Sequence, residues 1–117
     1  MGLVREIEVV EGDLTGGATV SRMTVPPWGL FGGRPGARLT VEVVRADGSV
    51  EPLPPGPAGQ REIRLQPGDG LTVTTPGGGG YGDPRQRERS LVTRDLQEER
   101  ISRRAAVDHY GLALEEA

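Results

Sequence analysis

Apolar and polar residues alternate along much of the first 75 positions, and the period lengthens only near the end of the chain. In residues 3–10, Leu3, Ile7 and Val9 fall on one side and Glu6 and Glu8 on the other, which predicts a half-buried strand. Residues 11–17, with Gly12, Gly16 and Gly17, read as a turn-rich link. Residues 18–25 predict a second strand, which Pro26-Pro27 ends because neither residue has an N–H to give to a ladder. Residues 38–45 hold the cleanest alternation, with Leu39, Val41 and Val43 facing Arg38, Thr40 and Glu42 across the strand. Asp47-Gly48 then predicts a two-residue hairpin turn. A return strand over 49–53 is cut short by Pro52, Pro54 and Pro55, residues that suit a sheet edge.

A Pro/Gly-rich loop is expected over 54–60. Two more strands follow, over 61–66 with Ile63 and Leu65 inward, and over 71–75 with Leu71 and Val73 inward; Pro67-Gly68-Asp69-Gly70 turns between them. After Pro76 comes Gly77-Gly78-Gly79-Gly80-Tyr81-Gly82-Asp83-Pro84, in which glycine allows either φ > 0 or close approach of another backbone. Asp83 is placed to cap a helix with Pro84 at its first position. That helix is predicted to run to about residue 98, with Leu91, Val92 and Leu96 as an apolar stripe, and Ser102 opens a second one that ends before Gly111. The expected fold is mainly β: a small antiparallel sandwich or barrel of about six short strands over 1–83, with a tail of one or two short helices over 84–117 packed on it or on a partner.

Composition narrows what such a chain can do. It has 117 residues, a hydrophobic fraction of 34%, 19 glycines and 10 prolines, so one domain with a thin core is expected. A thin core points to stabilisation by another chain or domain, against the simpler case of a loop-rich β domain that stands alone. Trp28 and Phe31, the largest apolar groups available, read most simply as core plugs, with a partner-facing surface as the rival. A net charge of −3 argues against a general nucleic-acid binder. No stretch is apolar enough to mark membrane insertion.

Candidate chemistry is sparse. All basic residues are Arg, which removes a Schiff-base lysine and a phosphate-loop lysine; there is no Cys, and the one His, His109, cannot build a histidine metal cluster. The run from Gly77 to Gly82 formally satisfies G-x-G-x-x-G, but no parallel strand follows to complete a dinucleotide-binding unit. Asp13, Asp47, Asp69 and Asp83 all adjoin glycines and read as turn and cap residues. His109 reads as a surface or capping residue near a helix C-terminus, and the Arg-rich stretch from Arg85 to Arg104 as a solvated or salt-bridged helix face. No catalytic, cofactor-binding or metal residue is assigned; the candidate interface or structural positions are Trp28, Phe31, Gly32, Gly33, Gly77, Gly78, Gly79, Gly80, Tyr81, Gly82 and Asp83.

Three blocks resemble the C-terminal end of the hydantoinase B/oxoprolinase family: Pro26-Pro27-Trp28-Gly29-Leu30-Phe31-Gly32-Gly33-Arg34-Pro35-Gly36, then Thr75-Pro76-Gly77-Gly78-Gly79-Gly80-Tyr81-Gly82-Asp83-Pro84, then Ala105-Ala106-Val107-Asp108-His109-Tyr110-Gly111. The opening Gly2-Leu3-Val4-Arg5-Glu6-Ile7-Glu8 is similar to a segment of the same family. The resemblance implies the C-terminal part or a small accessory subunit of a cytoplasmic complex with a hydantoinase A-type subunit. Such complexes use ATP and a divalent metal to open cyclic amides such as hydantoins or 5-oxoproline, or to carboxylate ketones. The expected partners are the A-type subunit and the upstream part of a B-type subunit, or a second copy of this chain. The alternatives are a stand-alone interaction module or a fragment without activity. One departure is Glu99, which stands where the family tends to have a helix-ending glycine.

Overall fold

A computed structural model describes residues 1–18, 20–54 and 62–113. The Pro/Gly-rich loop expected up to residue 60 lies almost wholly outside these, as do Thr19 and Arg61 of two predicted strands. The chain groups into two compact units, one of Gly2–Pro27 with Ala37–Gly77 and one of Met1, Trp28–Gly36 and Gly78–Ala117.

The first unit holds six strands among the described residues: β1 (Val4–Glu8), β2 (Leu14–Gly17), β3 (Thr40–Val44), β4 (Val50–Pro52), β5 (Glu62–Leu65) and β6 (Gly70–Thr74). They form a four-stranded sheet in the order β1-β6-β3-β4 and a two-stranded sheet of β2 and β5, with every pairing antiparallel. Val43 of the larger sheet and Ile63 and Leu65 of the smaller one meet Val9 in a buried cluster, with Ala18, Leu53 and Leu71 packed on it. Burying one such aliphatic side chain contributes about 1.5–3 kcal/mol. The proline-bearing strand β4 is a sheet edge, where a residue without an N–H costs no ladder bond.

Three expectations are corrected in this unit. Strand β1 is not half-buried: it is the other edge of its sheet, all five of its residues are exposed, and only Val9 just beyond it reaches the core. The second strand lies in the supposed link. Leu14–Gly17 pairs with β5, whereas residues 20–25 carry no strand and Arg22 takes φ 66, which breaks an extended run. The β3–β4 turn is one residue longer than predicted. Gly48 donates to the Arg45 carbonyl at 2.9 Å, Arg45 donates to the Ser49 carbonyl at 2.8 Å, and only Gly48 has positive φ, at 86°. Asp47 Oδ1 accepts from Ser49 N at 2.8 Å, which favours this three-residue loop.

A charged clamp supplements the small core. Asp69 is 6% exposed. Its carboxylate accepts from Ala46 N at 2.9 Å, Gln66 N at 3.0 Å and Arg45 Nη1 at 3.0 Å. Arg45 also donates to the Arg64 carbonyl at 2.9 Å and to both carboxylate oxygens of Glu51, at 3.1 and 2.9 Å. One guanidinium thereby joins the end of β3 to β4, to β5 and to the turn before β6. The N–H groups of Gln66 and Ala46, then Arg45, hold the Asp69 carboxyl below its ordinary value. The hydrogen bond from Arg45 does the same for Glu51, and the Arg45 guanidinium is held above its ordinary value.

The second unit carries a 3₁₀ turn (Pro84–Gln86) and two helices, α1 (Arg89–Gln97) and α2 (Arg103–Asp108). Asp83 caps the 3₁₀ turn by accepting from Arg85 N at 2.9 Å. The single helix expected from Pro84 is broken, because Arg87 and Glu88 have extended ψ values of 137° and 128°. Arg87 Nη2 is instead drawn to Asp95 Oδ2 of α1 at 2.6 Å. Val92, Ala106 and Leu112 form the buried cluster, with Leu96, Ile101 and Tyr110 against it. Ser102 caps α2 through Ala105 N at 3.1 Å. Glu99 closes α1 at φ 56, where Glu99 N reaches the Leu96 carbonyl at 3.1 Å and Arg100 N the Asp95 carbonyl at 2.8 Å. These are the two bonds of a Schellman cap, made without the usual glycine.

Two predictions follow from these contacts. Replacing Glu99 by Gly relieves the left-handed strain and should stabilise the chain by about 1 kcal/mol in urea unfolding; an unchanged or lowered midpoint would contradict the strain argument. Asp69 and Glu51 have depressed folded-state pKa values, so their stabilisation is complete above the ordinary carboxylate range and is lost as pH falls through the folded values. Midpoints measured against pH should be flat near neutrality and fall below about pH 4, with a shallower acid limb in Asp69→Asn.

Candidate functional site

Within the second unit, the 28–36 loop and the glycine run meet as bare backbone. Leu30 N donates to the Gly80 carbonyl at 2.9 Å, Gly82 N to the Leu30 carbonyl at 2.8 Å and Gly80 N to the Arg34 carbonyl at 2.8 Å, so that Leu30 and Tyr81 form a parallel bridge. A Cβ on Gly79 would stand 1.7 Å from the Trp28 carbonyl oxygen, and one on Gly33 2.0 Å from the Gly80 carbonyl oxygen. No side chain fits at either position. Gly78, by contrast, has open space around it, and Gly77 belongs to the other unit.

The 28–36 loop turns at residues 30–33. Gly33 N reaches the Leu30 carbonyl at 2.9 Å, with φ 49 at Phe31 and φ 86 at Gly32. Two positive φ values in succession define a type I′ turn, which ordinarily takes Asn-Gly or Gly-Gly. Phe31 therefore holds a left-handed backbone at a cost of about 1 kcal/mol. Its ring meets that of Tyr81 edge-on, with centroids 5.3 Å apart and planes at 66°.

Trp28 and Phe31 are not core plugs. Trp28 is 62% exposed, Leu30 53%, Phe31 78% and Tyr81 79%. The reason is geometric: backbone fills the space between the two loops, and these side chains are left outside it. The candidate positions Gly32, Gly33, Gly79, Gly80, Tyr81, Gly82 and Asp83 all fall in this one substructure with Trp28 and Phe31.

Sequence reasoning missed one pairing. His109 sits at the C-cap of α2, and Arg34 Nη1 donates to its Nδ1. The two residues are 75 positions apart, so no local signal marks the pair. Several arginines of the 85–104 stretch have intrachain partners: Arg87 with Asp95, Arg100 with Glu98, Arg104 with Asp108, and Arg89 with the Tyr110 carbonyl. Among the described residues no three His, Asp or Glu side chains converge to hold a metal ion. No helix among the described residues is long and apolar enough to cross a membrane.

The mainly β chain with this glycine-knitted loop is a member of a known class. The hydantoinase B/oxoprolinase family profile matches residues 1–84, and the chain belongs to that family. It is also 33% identical over 111 residues to an uncharacterized protein of Methanocaldococcus jannaschii, an alignment covering 95% of this chain and 19% of the relative. The chain thus spans about a fifth of that relative's length. No solved structure matches it significantly.

The backbone contact yields a paired prediction. Gly79→Ala forces a methyl into the Trp28 carbonyl and should cost about 3 kcal/mol or more, while Gly78→Ala should stay within about 0.5 kcal/mol of the parent. Thermal unfolding of the two variants reads the difference, and equal losses would contradict the close approach.

Proposed function

We propose that this chain is the C-terminal part or a small accessory subunit of a cytoplasmic hydantoinase B/oxoprolinase-type complex, and that its role is assembly. The complex would open a cyclic amide such as a hydantoin or 5-oxoproline at the expense of ATP, or carboxylate a ketone. The A-type subunit and the remaining length of a B-type chain would supply the ATP and metal chemistry.

The observation that carries this reading is the exposed set Trp28, Leu30, Phe31 and Tyr81 on a glycine-locked backbone. Large aromatics on rigid backbone are what the buried centre of an interface uses, because few rotamers are lost when they dock. The occupant we assign is the rest of a B-type chain, since the matching relative is about five times as long as the segment it shares with this chain. The strain at Phe31 supports the same assignment: a turn that serves only its own fold would favour Asn or Gly there.

The test is to mix the purified chain with separately expressed upstream B-type chain and A-type subunit, and to measure association and turnover. Phe31→Gly should leave the stability of the isolated chain within about 0.5 kcal/mol of the parent, because relief of the strain offsets the lost ring contact with Tyr81, and should weaken docking roughly tenfold or more. Docking at parental affinity would sink the assembly role, as would turnover of hydantoin or 5-oxoproline by the isolated chain.

A further inference from the structure

The second unit contains a cavity of about 630 Å³, within the usual range for small-molecule sites. Arg34, Arg87, Gln86, His109, Tyr81 and Tyr110 are among its lining residues. The single lining carboxylate is Asp83, whose Oδ1 is already engaged by Arg85 N.

Its cations are unevenly satisfied. Arg87 spends Nη2 on Asp95 and keeps its other donors. Among the described residues, Arg34 has no carboxylate within ion-pair distance, and its guanidinium donates only to His109 Nδ1. A guanidinium has donors and no acceptor, so His109 Nδ1 is the accepting end of this bond. The lining thus includes two guanidinium groups with unused N–H bonds and the Gln86 amide, against one carboxylate with one oxygen already engaged. Donor-rich, guanidinium-led surroundings match the planar, doubly accepting edge of a carboxylate or phosphate.

We propose that this cavity is a binding site for a small oxyanion, the carboxylate or phosphate group of a low-molecular-weight ligand, with Arg34 as its principal anchor and His109 holding the guanidinium in place. The cavity shares Tyr81 with the aromatic docking surface, but its anchors Arg34 and His109 lie outside that set, so Arg34→Gln tests this site and Phe31→Gly tests the other.

His109 is the one histidine of the chain, so its imidazole NMR signals report on this cavity alone. The full chain is titrated at fixed pH and ionic strength with inorganic phosphate in one arm and acetate in the other, against chloride. The expected result is a saturating shift with a dissociation constant on the order of millimolar in at least one arm, and the tighter arm identifies the oxyanion. Arg34→Gln should weaken it about tenfold. Arg34→Lys, which keeps the charge but loses the fork, should fall between. Arg5→Gln, on the exposed strand β1, should change nothing. The variants' folding is checked by thermal unfolding, and Arg34 is exposed with its one side-chain contact to His109. Non-saturating shifts in both arms would overturn the proposal, as would equal affinity in Arg34→Gln or an equal loss in Arg5→Gln.

Discussion

The Trp28 carbonyl oxygen occupies the place where a Cβ of residue 79 would be. Side chains ordinarily separate two backbone segments by the width of a methyl group or more. Here that spacer is gone, and the 28–36 loop and the glycine run are joined directly by peptide-to-peptide hydrogen bonds. Glycine gives up more chain entropy on folding than any other residue, so this contact is costly to form and tolerates no substitute once formed. It also decides where the aromatics go. With the space between the loops filled by backbone, Phe31 and Tyr81 have no interior to enter and stack on each other at the surface.

The β unit meets the same shortage of apolar material differently. Its central cluster is four aliphatic side chains, too few to fix the positions of six short strands through shape alone. Asp69 adds direction. A desolvated carboxylate is tolerated only when its acceptors are filled, and those of Asp69 are filled by two peptide N–H groups and a guanidinium that in turn grips β4 and β5. Shifting any one of these elements would leave a buried charge unsatisfied. The clamp therefore specifies the arrangement more than it adds to total stability.

Much of this was legible in the order of residues, and the failures share a cause. Val41 and Val43, Ile63 and Leu65, the caps at Asp83 and Ser102, and the glycine turn at Gly48 all follow from local spacing or local chemistry. Asp69 read as a turn residue, and it is one; its hold on Arg45, 24 positions away, has no local trace. Strand β2 contains Gly16 and Gly17, and it is a strand only because β5 lies beside it. Trp28 and Phe31 were expected inside because large apolar groups usually are, a rule that assumes an interior with room for them. The Arg34–His109 pair joins a loop to a helix end across 75 residues. In each case the missing information is what lies across from a residue rather than what lies beside it in the chain.

The backbone strains separate local structure from structure held for something else. Glu99 takes a left-handed conformation, and two helix-ending hydrogen bonds offset the cost where it arises. Phe31 takes one as well, and in return it has one turn bond and an edge contact with Tyr81. Such an aromatic contact contributes about 0.5–1.5 kcal/mol, which only balances a strain of about 1 kcal/mol. Within this chain, then, phenylalanine at position 31 is close to break-even against glycine, which would make the same turn unstrained. The remaining return lies in the 78% of its surface still open to solvent. Covering a ring of that size would release roughly 3 kcal/mol, more than strain and immobilisation together consume. A residue that breaks even in isolation and would gain roughly 3 kcal/mol on being covered is what the proposed assembly role requires at the 30–33 turn.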